Sequence, residues 1–342
     1  MDLSIQHQFR GNTTFQIGYL GQRAYHLMVP YDYAQRVLLP ATASCPAPCT
    51  APSPFFAKNP TLYTVMGNPS QNGEGATVFG TQSNGTMMYN SLQAVLQKEM
   101  SHGLQYQVSY TYSKCMSNNS GYYGAWNNAI SAWPYWQNVY DKKAEWAPCY
   151  YDATHVLSAY AIYELPVGRG KALGHDMNKV FNAVVGGWSV SPIVSFRTGF
   201  PLAIAPAGVA DTSGSYSYGT RPDCNSIPTV TRETPISTPG VGGYQWFTNN
   251  GNFTQPALGT FGSCPNQLGY LRTAHYTDVD LSLHKDFQLT DRFRLQFRSD
   301  FINAFNHVQL NAPYIWDLGP SLGQVTYAQP PRNIQLALKF YF

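Results

Sequence analysis

The sequence has little charge. Only 11% of its 342 residues are Asp, Glu, Lys or Arg, against about 25% in an ordinary soluble domain. The net charge of +3 is small and scattered, which excludes the concentrated basic surface of a nucleic-acid-binding protein. Disordered chains are rich in charge and poor in aromatic residues, whereas aromatic residues make up 15% of this chain. We therefore expect a folded protein with no nucleic-acid partner.

Long apolar runs are also missing. No stretch of the sequence approaches the roughly 18–20 apolar residues of a transmembrane helix, which excludes a helical membrane protein. A membrane β-barrel stays open, because its strands are short and alternate in polarity. The first four residues have neither the basic nor the apolar region of a signal peptide, so we expect none.

Motifs for catalysis and cofactor binding are missing as well. The eight histidines form no HExxH or HxxxH pattern, and no GxSxG nucleophile elbow is present. Residues 168–172 resemble a phosphate-binding loop but lack its first glycine and the Ser or Thr after the lysine. Asp278 and Asp280 share a strand face and can bind a cation or transfer protons, but salt bridges to Arg294 or Arg298 are the stronger expectation. We expect no enzyme, no cofactor and no metal.

Strict alternation of apolar and polar residues is the main feature of the sequence. From residue 104 to 113, Leu, Tyr, Val, Tyr and Tyr alternate with Gln, Gln, Ser, Thr and Ser. The pattern recurs at 188–197, 279–284, 293–301 and 333–342, and more weakly at 3–9, 14–20, 89–98 and 154–165. Segments of about 9–11 residues match tilted membrane-spanning strands better than the soluble average of about 5–6.

The polar face of these strands carries charged residues, namely Arg197, Asp280, Arg294, Arg298 and Asp300. Such residues are costly in a dry core but not in a water-filled lumen. Short turns at 98–103 and 287–292 contrast with long connections at 113–152 and 200–276. The sequence therefore predicts an all-β, antiparallel transmembrane β-barrel of roughly ten to twelve strands, with short periplasmic turns and long extracellular loops. A soluble β-sandwich is the alternative.

Two further groups of aromatic residues suggest partners. Phe340 and Phe342 end the last strand and resemble the C-terminal signal that the outer-membrane barrel assembly machinery reads. Aromatic residues with Asn and Ser neighbours, suited to capture of a carbohydrate or peptide, are Tyr122, Tyr123, Trp126, Trp133, Tyr135 and Trp136. The alternative for this second group is an aromatic girdle together with packing of the loop on itself.

The six cysteines are an even number scattered through predicted loops, which favours disulfides in an oxidising compartment. Spacing does not determine the connectivity. We expect sequential pairs, each closing a loop: Cys45 with Cys49, Cys115 with Cys149, and Cys224 with Cys264. Several free thiols are the alternative.

Short segments along nearly the whole chain together resemble a known family. They are LSIQ at 3–6, IGYLG at 17–21, YNSLQ at 89–93, YTYSK at 110–114, YELPVGRGK at 163–171, GGW at 186–188, TGFP at 198–201, RP at 221–222, FRLQFR at 293–298, FINAFNH at 301–307 and PRNIQ at 331–335. In this order and spacing they resemble the C-terminal part of TonB-dependent receptors of the Oar-like type. These outer-membrane proteins carry an N-terminal carboxypeptidase-regulatory-like domain.

The resemblance implies that residues 1–342 are the C-terminal part of a receptor barrel in the outer membrane of a Gram-negative bacterium. Such receptors have a signal peptide, a TonB-contacting segment, a plug domain and about 22 strands, and we expect this chain to be a fragment without the first three. The implied partners are outer-membrane lipid, the barrel assembly machinery, the TonB complex through the missing plug, and an unknown nutrient such as a glycan, peptide or metal chelate.

A second hypothesis is that the chain is a self-contained small barrel that acts as a passive porin or adhesin. It requires the first strand, residues 3–9, to pair with the last, residues 334–342, so that the sheet closes. A soluble extracellular β protein is a third reading, although rows of outward Leu, Val, Phe and Tyr oppose it.

Overall fold

The computed structural model describes residues 1–59, 78–119, 134–205, 209–236, 242–290 and 292–342. Its strands are β1 (Asp2–Phe9), β2 (Thr13–Asp32), β3 (Val37–Leu38), β4 (Thr50–Ala51), β5 (Phe79–Ser101), β6 (Leu104–Ser117), β7 (Ala147–Pro148), β8 (His155–Glu164), β9 (Trp188–Arg197), β10 (Pro201–Leu202), β11 (Asp223–Cys224), β12 (Val230–Pro235), β13 (Tyr244–Phe247), β14 (Phe253–Thr254), β15 (Leu268–Arg272), β16 (Tyr276–Gln288), β17 (Arg294–Ile302), β18 (Gln324–Val325) and β19 (Asn333–Tyr341). Two short helices are α1 (Pro54–Lys58) and α2 (Lys179–Val185). Within these described ranges no helix has the length and apolarity to cross a membrane.

One large antiparallel sheet dominates the fold. Its strands follow the order β1-β2-β5-β6-β8-β9-β16-β17-β19, and the two-residue β7 adds to β6. In the described residues this sheet has ten strands with β7 included, at the lower end of the roughly ten to twelve that the sequence predicted, and nine of them are long. In the described residues β1 and β19 are the two ends of the sheet and do not pair with each other. The closure that a self-contained small barrel requires is thus not formed.

The connections at the two ends of the sheet differ in length. At one end, β5 and β6 are joined by His102 and Gly103, which both have positive φ (53° and 75°). This two-residue turn matches the twist of the flanking strands. At the other end the connections are residues 33–78, 118–154, 198–275 and 303–332. The sequence predicted this asymmetry.

The two faces of the sheet differ in polarity. Leu92 of β5 lies opposite Tyr112 of β6, and both side chains point to one face of the sheet. Leu336 of β19 lies on this same face. These apolar side chains are exposed, with relative accessibilities of 44%, 50% and 70% respectively. The opposite face carries Gln, Ser, Asn, Asp and Arg. We call the apolar face the outer face and the polar face the lumen face, because this is how a membrane barrel distributes its side chains.

The buried core lies in the long connections and not between layers of the sheet. We call the described parts of the four long connections the loop cap. Five of its fully buried residues are Leu202, Phe247, Leu268, Leu271 and Ile315. Short strand pairs within the cap, β3–β4, β10–β15, β11–β14 and β12–β13–β18, satisfy its backbone hydrogen bonds. The core thus stabilises the cap, while the sheet leaves its apolar face uncovered.

Candidate functional site

The lumen face meets the loop cap at Arg197, the last residue of β9. The register pairs Arg197 with Tyr276 of β16. Its guanidinium carbon lies 4.1 Å from the ring centroid of Phe200 and 5.4 Å from that of Tyr276. In the described part of the chain no carboxylate forms an ion pair with Arg197. The side chain is therefore a cation held by aromatic faces.

A cavity of about 220 Å³ opens beside this arginine. Its lining combines one cation, aromatic rings and side-chain amides: Arg197, Phe200, Thr273, Ala274, His275, Tyr276, Gln309, Leu310, Asn311, Ala312 and Gln329. Three of these amides are hydrogen-bonded, since Gln329 Nε2 donates to Asn311 Oδ1 over 2.7 Å and Thr277 N–H donates to Gln309 Oε1 over 3.1 Å. An unpaired guanidinium among fixed polar groups suits a ligand with a negative charge or several hydrogen-bond acceptors.

The other predicted lumen residues form a separate polar row lower in the sheet. Arg298 Nε donates to both carboxylate oxygens of Asp300 at 2.9 Å, and Arg294 lies 3.9 Å from Asp286. Asp280 instead accepts a hydrogen bond from the backbone N–H of Asn303 at 2.9 Å. The structure places these residues on the lumen face but not in the cavity beside Arg197.

The expected salt bridges from Asp278 and Asp280 to Arg294 or Arg298 are wrong. Asp278 accepts the Tyr276 hydroxyl at 3.2 Å, and its Oδ1 atom is buried with no hydrogen-bond partner among the described residues. The physical reason is register: Arg298 lies opposite His284, whereas Asp278 and Asp280 lie opposite Ser195 and Ile193.

A buried ion pair fastens two of the long connections together. Arg221 donates to Glu145 through both terminal nitrogens, at 2.9 and 3.0 Å, and Glu145 is fully buried. Burial raises the pKa of the Glu145 carboxyl, and the neighbouring Arg221 guanidinium opposes that rise. A bidentate pair of this kind has a defined geometry. Sequence reasoning missed it, because the partners are 76 residues apart and no local pattern marks either one.

Further polar contacts join the cap to itself and to the sheet. Gln35 donates to the carbonyl oxygen of Gln137 at 2.6 Å and accepts from the N–H of Val139 at 2.7 Å. Arg272 donates to the Asp152 carboxylate at 2.7 Å, next to the top of β8. These contacts join three of the four long connections, and the pairing of β13 with β18 joins the fourth to them.

The structure buries two of the proposed ligand-capture aromatics. Trp136 is 2% exposed and its indole N–H donates to the carbonyl oxygen of Asn118 at 2.7 Å. Tyr135 is 7% exposed and packs 4.9 Å from the ring of Phe79. Both residues stabilise the cap and are not available to a ligand. Tyr122, Tyr123, Trp126 and Trp133 lie outside the described residues.

All six cysteines are paired in the structure, in the sequential order that we expected. The disulfides join Cys45 to Cys49, Cys115 to Cys149, and Cys224 to Cys264. The second of these links the top of β6 to the connection that follows it. At the other end of the sheet, Phe340 and Phe342 stack with centroids 6.3 Å apart and are 52% and 94% exposed. Their role as an assembly signal stays a prediction.

Comparison with known proteins gives one family match. A family model described as an outer membrane beta barrel domain matches residues 1–335. No curated protein matches the chain. Among solved structures it is similar to the outer membrane transporter YddB from Escherichia coli (10% identity, TM-score 0.46, covering 99% of this chain and 32% of that chain). It is also similar to the ferripyoverdine receptor of Pseudomonas aeruginosa (10%, 0.42, 99% and 26%) and to the copper transporter OprC (8%, 0.37, 99% and 30%). The chain thus spans about a quarter to a third of the length of these structures.

Proposed function

Since the chain belongs to the outer membrane β-barrel domain family, and is therefore a protein of the cell outer membrane, we propose that it is the C-terminal barrel part of an Oar-like, TonB-dependent receptor that imports or binds a large nutrient. The segments that resemble this family, from residues 3–6 to 331–335, support the assignment. The proposed partners are outer-membrane lipid, the barrel assembly machinery at Phe340 and Phe342, and the TonB complex through a plug encoded elsewhere in the receptor.

The observation that carries the proposal is the pair of open sheet edges. All eight residues of β1 are exposed, as are eight of the nine residues of β19. An exposed edge strand offers unpaired N–H and C=O groups, and such groups are too costly to leave unpaired in a lipid bilayer. Further strands, paired to both edges, remove this cost. The open edges thus support the proposal that this sheet is part of a larger barrel.

The cavity at Arg197 is the proposed contact for nutrient or plug. It lies where the lumen face meets the cap, so a ligand held by the loops reaches it before it enters the lumen. The charge of Arg197 and the amides of Asn311 and Gln329 favour an anionic or acceptor-rich ligand, such as an acidic glycan or a carboxylate-bearing chelate. We propose no catalytic role for the residues of the lumen face.

The first test is the DNA sequence upstream of the Met1 codon. An in-frame extension encoding further strands, a plug and a signal peptide is the expected result. A stop codon directly upstream contradicts the fragment proposal, and the alternative, a small porin or adhesin, then becomes the subject of a pore assay. In that assay the refolded chain alone is placed in liposomes and swelling with small sugars is measured. Swelling at a rate typical of porins supports the self-contained barrel.

A test on the receptor addresses the function. Uptake of the nutrient by cells that produce the full receptor is expected to stop when the TonB complex is deleted. Arg197→Gln is expected to weaken nutrient binding about tenfold or more, since hydrogen bonds to charged groups contribute about 1.5–3 kcal/mol. Uptake that persists without the TonB complex contradicts energised transport.

A further inference from the structure

Helix α2 lies on the outer face of the sheet, at the end with short turns. It occupies the connection between β8 and β9, residues 165–187. Two outer-face side chains hold its carboxyl end. Lys285 Nζ donates to the carbonyl oxygens of Asn182, at 3.1 Å, and of Gly186. The indole N–H of Trp188 donates to the carbonyl oxygen of Val184 at 2.9 Å.

The position of Lys285 is unusual for a charged residue. The register places it opposite Trp188 and Phe297, in a row that is otherwise apolar. It is nevertheless only 3% exposed, because the helix covers it. Its ammonium group lies 5.6 Å from the Trp188 ring and 5.1 Å from the Phe287 ring. A charge on the lipid-facing side is costly, so its contacts with the helix carbonyls are a specific arrangement that fixes α2 against the sheet.

The helix leaves its other side apolar and uncovered. Val180, Phe181 and Val184 are 79%, 53% and 67% exposed. Val184 lies four residues after Val180 and three after Phe181, so it neighbours both on the helix surface. The amino end is fixed by Asn178, whose side chain accepts the N–H of Phe181 at 2.7 Å. A rigid helix that is held against the outside of a barrel, with three large apolar side chains pointing away from it, fits a membrane surface.

The charge of the same connection identifies the lipid. Residues 165–187 contain three basic residues, Arg169, Lys171 and Lys179, and one acidic residue, Asp176. All four are exposed, although Lys171 lies 3.6 Å from Glu164. Basic side chains beside an interfacial apolar face favour anionic headgroups.

We propose that α2 is an interfacial anchor: Val180, Phe181 and Val184 insert between phospholipid headgroups of the leaflet at the short-turn end, and Arg169 and Lys179 bind anionic phosphates there. The anchor rests on the membrane placement of the sheet in the proposed function. It is continuous with the outer face through Trp188 and Lys285, so it fixes the depth of the barrel on that side of the bilayer.

Depth-dependent quenching tests the anchor. Phe181→Cys is labelled with a small fluorophore in the full receptor, in which the further strands pair both sheet edges, with the disulfides intact, and the receptor is reconstituted in vesicles with lipids brominated near the headgroup. We expect quenching at least twofold stronger than for the same label at Leu258→Cys, an exposed cap position (62%). Equal quenching at the two positions overturns the proposal.

A third labelling position separates the two proposals. Leu336→Cys places the label on the outer face of β19, at a side chain that is 70% exposed. Quenching at Leu336 without quenching at Phe181 rejects the anchor alone. No quenching at either position rejects the membrane placement and with it the proposed function.

Two variants test the mechanism of anchoring. Lys285→Met keeps the length of the side chain but removes both hydrogen bonds to the helix, and is expected to reduce quenching at Phe181 at least twofold while quenching at Leu336 is unchanged. The double variant Arg169→Gln with Lys179→Gln is expected to remove the excess quenching in phosphatidylglycerol vesicles over phosphatidylcholine vesicles. Quenching at Phe181 that is the same in both lipids for the parent chain contradicts the binding of anionic phosphates.

Discussion

Single charged residues have very different energetic roles in this molecule, depending on their burial. We expect Arg221→Met to destabilise the cap by about 3–5 kcal/mol, because it leaves the Glu145 carboxylate buried without its partner. The side chains of this pair are 7% and 0% exposed. The measurement is the thermal unfolding midpoint of the protein refolded in detergent, together with protease resistance of the cap.

The exposed pair between Lys171 and Glu164 is the matched control. Its atoms are 3.6 Å apart and its side chains are 46% and 49% exposed. Solvent screens such a pair, so Glu164→Gln is expected to cost about 0–1 kcal/mol. Equal effects of Arg221→Met and Glu164→Gln would show that the buried pair does not hold the cap together.

Among the elements of the fold, the disulfides are expected to contribute unequally. Cys45 and Cys49 are separated by four positions and Cys115 and Cys149 by 34. Loop-closure entropy then gives about 2 kcal/mol for the first disulfide and about 4 kcal/mol for the second. We expect the Cys115→Ser, Cys149→Ser variant to have a lower unfolding midpoint than the Cys45→Ser, Cys49→Ser variant. The reverse order would mean that native strain or residual structure outweighs chain entropy.

The two faces of a single strand provide a second comparison. Leu92 and Gln93 are neighbours in β5, both exposed, with Leu92 on the outer face and Gln93 on the lumen face. Leu92→Arg is expected to cost roughly 2–4 kcal/mol in a bilayer, whereas Gln93→Arg, in a wet lumen, is expected to cost little. Denaturant titration in lipid vesicles measures both. In a soluble protein the two exposed positions would tolerate arginine equally.

The alternation of residues 104–113 was enough to predict β6 and its apolar face, because period-two polarity is a local signal. The nine alternating segments of the sequence coincide with the nine long strands of the sheet. Sequence reasoning also named Tyr135 and Trp136 as candidates for ligand capture, with packing of the loop on itself as the alternative. Their burial depends on Phe79 and Asn118, contacts that form only after the cap has packed. The alternation in the sequence already places Lys285 among the apolar residues of β16. Only the structure shows that α2 covers this lysine.

At the scale of the whole molecule, the edge of β1 is where the proposed receptor fragment and a complete barrel are expected to behave differently. Met1 and Gly21 exchange two hydrogen bonds of 2.9 Å. Hydrogen-bonded pairs alternate along an antiparallel ladder, so Ile5 bonds to β2 while the N–H groups of Ser4 and Gln6 point to the open edge. Proline removes one N–H donor and is tolerated only where that donor has no ladder partner.

This geometry predicts opposite outcomes for one substitution in two contexts. In the isolated chain, Gln6→Pro is expected to leave the unfolding midpoint unchanged and to reduce self-association in detergent several-fold, because it blocks edge-to-edge pairing. Ile5→Pro, one residue away, is expected to lower the midpoint by breaking a bond to β2. In the proposed full receptor a further strand pairs with β1, so Gln6→Pro is expected to impair barrel assembly there as strongly as Ile5→Pro does. Heat-modifiable migration of the folded barrel in SDS gels measures assembly. Normal assembly of the Gln6→Pro receptor would mean that no strand pairs with this edge, and the chain would then be a complete unit.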